Sequence, residues 1–126
     1  AAELPGLKFE RVNTVAELDA RLAEAKAAGR PVMLDFYADW CVSCKEMERF
    51  TFADPAVQAK LAGFTLLKAD VTANTPEDKA LLARFGLYGP PGIIFFSPGG
   101  KEIAGLRVIG YQEAAVFMKQ LERAAG

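Results

Sequence analysis

Apolar positions recur along this chain at alternating helical and extended periods, and that alternation sketches the fold. Residues 9–12 read as a short first strand, after which Leu18, Leu22 and Ala25 follow at helical intervals. Thr14-Val15-Ala16-Glu17 has the spacing of a capping box and Gly29 offers a stop, so the pattern predicts an amphipathic helix between them. Pro31 then introduces Val32-Met33-Leu34-Asp35-Phe36-Tyr37. This run is apolar almost without alternation, as suits a central parallel strand covered on both faces.

Helical spacing returns through Lys45, Met47, Glu48 and Phe50. Asp54-Pro55, an N-cap followed by a proline suited to a first turn, restarts it in a second piece that ends near residue 61. Residues 64–70 supply the next apolar strand. Thr75-Pro76-Glu77-Asp78 combines a cap, a first-turn proline and early acids, and launches a helix through Leu81, Leu82 and Phe85. Beyond Gly86, Gly89-Pro90-Pro91-Gly92 precedes the strand Ile93-Ile94-Phe95-Phe96. The turn Ser97-Pro98-Gly99-Gly100 predicts an antiparallel partner strand within residues 102–109. Ala115, Val116, Met118 and Leu121 close the chain in a helix to about residue 124. With right-handed crossovers, the order β-α-β-α-β-α-β-β-α predicts an α/β fold with a mixed central sheet and helices on both faces.

Composition bounds this picture. A chain of 126 residues, 52% hydrophobic and 25% charged, suits one compact domain. We place that domain at residues 9–126 and read residues 1–8, broken at Pro5-Gly6, as a linker. With 15 basic against 16 acidic residues and no basic run, the chain has no electrostatic footprint for nucleic acid or an anionic membrane. The longest apolar runs, such as residues 93–96, are too short to span a bilayer. The start at Ala1, with neither an initiator Met nor a targeting signal, suggests a mature product or a domain cut from a larger protein.

Both cysteines lie in Asp39-Trp40-Cys41-Val42-Ser43-Cys44-Lys45. Three residues apart at a helix start, they are spaced to exchange between dithiol and disulfide. Two other readings fare worse. Tetrahedral zinc wants four N or S ligands, and the chain has no histidine and no third cysteine. An inert structural bridge would close so short a loop that its entropic gain is small. A helix N-terminus favours a thiolate, so we expect Cys41 to be the exposed nucleophile and Cys44 the resolving thiol inside the first turn.

Two acids stand to oppose that thiolate. Asp35 interrupts an apolar strand, which predicts burial, a carboxyl titrating above its usual range and proton exchange with Cys44. Glu48, four residues beyond Cys44 and seven beyond Cys41, falls on the thiol face of the same helix and should tune the thiol. Structural alternatives are a strand aspartate satisfying backbone groups, and a helix glutamate that is solvated or paired with Lys45.

Asp35 in the central strand, Trp40-Cys41-x-x-Cys44-Lys45 at the next helix, and Gly89-x-Pro91 before a hydrophobic strand resemble the thioredoxin fold over nearly all of residues 9–124. More narrowly, the run from Tyr37 to Glu48, with Thr51-Phe52-Ala53-Asp54-Pro55 and Val71-Thr72-Ala73-Asn74, resembles the C-terminal periplasmic domains of the DsbD family of bacterial thiol:disulfide interchange proteins. Val42-Ser43 and Arg49 stand where cytoplasmic thioredoxins usually carry Gly-Pro and a helix-bending proline.

That resemblance implies a monomeric protein-disulfide reductase module without bound cofactor or metal. Its electrons would come from a membrane-embedded redox domain and pass to an immunoglobulin-like N-terminal domain of the same parent, an inner-membrane protein whose segment here would lie in the periplasm. It also implies that Pro91 is the cis-proline packed beside the cysteines, preceded by a residue that docks an extended partner segment. Pro90 has no N–H and leaves at most its carbonyl for that docking. Gly92, in place of a commoner threonine, leaves more room. Trp40, Val42 and Pro90, with Tyr88 and Tyr111, are expected to form an apolar collar around Cys41, although the tyrosines would suit the core as well. A free-standing thioredoxin-like reductase and a binding module with locked cysteines are the competing functions.

Overall fold

The structure is a computed structural model and describes residues 7–125. Its elements are β1 (Glu10–Arg11), α1 (Val15–Ala27), β2 (Val32–Tyr37), α2 (Val42–Glu46), a π-helical turn (Met47–Thr51), α3 (Pro55–Leu61), β3 (Thr65–Asp70), α4 (Pro76–Arg84), β4 (Gly92–Phe96) and α5 (Ala114–Ala125). Among the described residues the strands form one sheet in the order β1-β3-β2-β4. Its strands run parallel except β4, which lies antiparallel to β2.

Local chemistry starts the helices where the sequence indicates. Thr14 accepts the Glu17 N–H at 3.1 Å, while Asp54 accepts from Ala56 and Val57 ahead of Pro55. At α4, Thr75 and Asp78 cap each other reciprocally.

Alternation along the strands splits the core into two layers. Val32, Leu34 and Phe36 of β2, Leu67 and Ala69 of β3, and Ile94 and Phe96 of β4 pack with Leu18 and Leu22 of α1 and Leu81 and Leu82 of α4. The opposite face offers Met33, Leu66, Ile93 and Phe95 to Val57 and Leu61 of α3 and Phe117 and Leu121 of α5. By the same alternation Asp35 and Lys68, direct partners in the β2–β3 register, share this second face, at the end of β2 from which the chain passes into α2.

Four expectations need correction. The first strand is two residues long rather than four, although the Val12 N–H still reaches the Lys68 carbonyl at 3.0 Å. The expected partner strand within residues 102–109 is reduced to isolated antiparallel bridges, Phe96 to Glu102 and Ile93 to Val108. Three steps along β4 correspond there to six along the returning segment, so the surplus must bulge. It does so around Gly105, whose φ of 79° is left-handed. The redox helix does not stay α-helical through Phe50: the Phe52 N–H bonds the Met47 carbonyl at 2.8 Å, a five-residue step that widens the turn. Of the expected linker, residues 1–6 lie outside the described residues, and Leu7 is buried in the second layer. No helix among the described residues is long and apolar enough to cross a membrane.

Candidate active site

At the end of β2 the chain must leave the sheet and turn at once into a helix, and a short hydrogen-bond set fixes that corner. The Cys41 N–H returns to the Ala38 carbonyl at 3.0 Å, and the Tyr37 hydroxyl donates to Asp39 at 2.9 Å. Thr72, just past β3, accepts the Asp39 N–H at 2.9 Å through its hydroxyl and the Trp40 indole N–H at 3.2 Å through its carbonyl. Thr72 is itself held by Asp70. Burial works against ionisation of Asp70, yet the Thr72 bonds and the nearby cations Arg11 and Lys68 hold its carboxyl below the usual range.

Cys41 occupies the N-cap of α2, and its sulfur accepts the Cys44 N–H at 3.2 Å. The two cysteines form a disulfide across a Cα–Cα distance of 5.3 Å. The Cys44 sulfur lies 3.6 Å from the Phe36 carbonyl, a contact that becomes an S–H···O hydrogen bond when the bridge is reduced. In the oxidised protein Cys41 is not the exposed member of the pair: the residues are 5% and 4% accessible. Bonded sulfurs shield one another, and both side chains join the first core layer beside Phe36 and Ala38.

Asp35 is buried next to Phe36 in β2. Burial pushes its carboxyl up to about 8 from an ordinary 3.8; Lys68 pulls it back and Glu48 adds to the rise. Glu48 lies on the inner side of the π-helical turn, mostly buried, with its carboxylate 2.7 Å from Lys68 Nζ. Its partner is therefore neither solvent nor Lys45. The same ammonium sits 3.9 Å from the centre of the Tyr37 ring, a cation–π contact. Lys68 escaped the sequence reading, although a lysine set among Leu66, Leu67 and Ala69 is the counterpart of an aspartate in 32–37. The role of Thr72 escaped too: its local bonds to Asp70 do not reveal it, because the two groups it holds at this corner lie 33 and 32 residues away.

The residues expected to surround Cys41 are on the surface. Trp40 is 60% and Val42 71% exposed, and Tyr88, Tyr111 and Ile109 are exposed as well, so the tyrosines are not core. The Pro90–Pro91 peptide is cis, and both prolines are half-buried. Gly92 leaves no open room: a β-carbon there would stand 3.0 Å from a Leu87 methyl. The segment after Ile109 is tied to the redox helix, since Gln112 gives its N–H to the Met47 sulfur at 3.4 Å and its carbonyl to the Thr51 hydroxyl at 2.5 Å.

Comparison with known proteins agrees with this geometry. Residues 18–125 match the family model described as a thioredoxin-like domain. The chain is 56% identical over 121 residues to the thiol:disulfide interchange protein DsbD of Ralstonia nicotianae and 52% identical to DsbD 1 of Pseudomonas aeruginosa. These alignments cover 96% of this chain but only 20% of each relative, so the chain spans about a fifth of their length. Among solved structures, the C-terminal domain of Neisseria meningitidis DsbD in the oxidised form superposes with a TM-score of 0.77 at 38% identity, covering 94% of this chain and 99% of that one. A fold, a disulfide at a helix start and a buried aspartate that point the same way as these similarities leave one assignment: the chain belongs to the thioredoxin-like family, in the branch of the DsbD C-terminal domains.

Proposed function

We propose that this domain is a protein-disulfide reductase that relays two electrons by thiol exchange, and the observation that carries the reading is the Cys41–Cys44 disulfide at the start of α2, whose Cys44 sulfur lies 3.6 Å from the carbonyl of Phe36, the chain neighbour of buried Asp35. Starting from the dithiol, Cys41 loses its proton to water and its thiolate attacks a partner disulfide; a mixed disulfide forms, and the partner thiolate that leaves takes up a proton from water. Cys44 gives its proton to the Asp35 carboxylate and attacks the Cys41 sulfur. The internal disulfide forms, and the second partner sulfur leaves as a thiolate that takes the proton back from Asp35. Two electrons and two protons have then moved to the partner.

Direction follows from thiolate stability, because a protein that gives its thiolate little help holds its electrons weakly and reduces others. The Cys44 N–H favours the Cys41 thiolate, whereas a carboxylate at Asp35 opposes it. Glu48 contributes less than its charge suggests, since Lys68 neutralises it at 2.7 Å. Asp35 is thus the acid that governs the pair.

Supply of electrons by a membrane-embedded redox domain, delivery to an immunoglobulin-like N-terminal domain and a periplasmic location extend this reading to the larger parent, in keeping with the fifth of the relatives' length that the chain covers. Trp40, Val42, Pro90 and Pro91 are the surface through which partners would approach. The test is a trap: Cys44→Ala in the parent protein should hold a partner covalently on Cys41, releasable by dithiothreitol. A wild-type domain that fails to catalyse insulin reduction by dithiothreitol would contradict the reading and favour a binding module.

A further inference from the structure

The segment between α4 and β4 is closed by a contact that the redox chemistry does not use. Helix α4 ends in a Schellman arrangement: the Gly86 N–H reaches the Ala83 carbonyl at 3.1 Å and the Leu87 N–H the Leu82 carbonyl at 2.9 Å, with Gly86 at φ 68°. That geometry fixes where Leu87 leaves the helix. Its side chain packs against the core layer that contains Cys41 and Cys44, and its methyl groups fill the space beside Gly92, at 3.0 and 3.8 Å from where a β-carbon would stand. Gly92 does not have a left-handed backbone, so packing rather than conformation requires glycine there. Gly92 pairs with Phe36, whose carbonyl lies under Cys44. The wedge therefore sits across one strand from the disulfide, and residues 88–91 form an excursion clamped at its base, with Tyr88 fully exposed and the cis Pro90–Pro91 pair half-buried.

We propose that Leu87, seated in the notch left by Gly92, is a positioning residue for protein substrates: it holds residues 88–91 at the rim of the disulfide in the shape that a folded partner meets. This rests on the reductase reading above. A small disulfide reaches the sulfurs without touching that rim, so the wedge should matter for protein disulfides and not for small ones.

The experiment uses the pre-reduced protein in single turnover, with insulin as the protein disulfide and 5,5′-dithiobis(2-nitrobenzoate) as the small one. Gly92→Val drives two methyl groups into the space Leu87 occupies and should slow the insulin reaction about tenfold, while the small-disulfide rate stays within about twofold. Leu87→Ala alone should slow insulin about threefold through a loosened rim. Combined with Gly92→Val it makes room for the valine, and the double variant should recover most of the Gly92→Val loss. If Gly92→Val does not fold, Leu87→Ala alone carries the test through the same contrast between substrates. Equal losses on both substrates, no loss on insulin, or a double variant as slow as Gly92→Val would overturn the proposal. A wild-type protein inert toward both substrates would instead overturn the reductase reading beneath it.

Discussion

The two faces of this sheet are built from the same strands and do opposite things. On one, Val32, Leu34, Phe36, Leu67, Ala69, Ile94 and Phe96 present hydrocarbon to α1 and α4. On the other, the same alternation brings up Met33, Leu66 and Phe95 and then, where β2 approaches α2, Asp35 beside Lys68 with Glu48 across from it. The first face supplies stability that no proton can alter. The second makes both stability and sulfur chemistry depend on protonation, because charges held away from water interact strongly and resist ionising alone. A redox domain needs both, and this one joins them at the end of β2, where the disulfide packs with the first layer against Phe36 while its neighbour Asp35 faces the second.

Disturbing each face in turn should expose the difference. The largest effect is expected from Phe36→Ala on the hydrocarbon side, which removes a fully buried ring that packs edge-on to Phe85. Urea denaturation of the oxidised protein should show a loss of about 4 kcal/mol, equal at pH 5 and pH 8. Lys68→Met comes next, at about 3 kcal/mol near neutral pH, because it strands the Glu48 carboxylate in a mostly buried site. Adding Glu48→Gln should return most of that loss; if it does not, the ion pair is not the cause.

Asp35→Asn sharpens the comparison through pH. The folded protein holds this carboxyl at about 8 against 3.8 when unfolded, so the unfolded chain ionises first. Stability should therefore fall as pH rises from about 4 to about 8 and level off above. Asparagine abolishes that slope, so the variant gains stability on wild type as pH rises toward 8 and is no more stable near pH 4. Parallel pH curves for the two proteins would contradict the assignment. The smallest change, Thr51→Val, removes the hydroxyl donated to the Gln112 carbonyl and should cost about 1 kcal/mol at either pH.

How far the sequence discloses these features depends on how local their causes are. Helix starts at Thr14, Asp54 and Thr75 were legible because cap and capped amide lie within three residues of each other. Asp35 stood out as a lone acid in a hydrophobic run, and Cys41 and Cys44 by their spacing. Besides the role of Thr72, three features were not legible. Lys68 reads as an ordinary strand lysine until the β2–β3 register sets it opposite Asp35 and beneath Glu48. The bulge at Gly105 depends on how many residues the return along β4 can pair, and the filling of the Gly92 notch depends on the exit angle of α4. Each is a long-range consequence of packing that no local pattern carries.

The most direct measurement of whether Asp35 restrains the reactive sulfur is the pH profile of Cys41 alkylation in the reduced protein, run beside Asp35→Asn. The account predicts a wild-type midpoint above the free-thiol value of about 8.5, moving down by about a unit when Asp35 becomes asparagine. A wild-type midpoint well below that value, or a profile indifferent to the substitution, would contradict it.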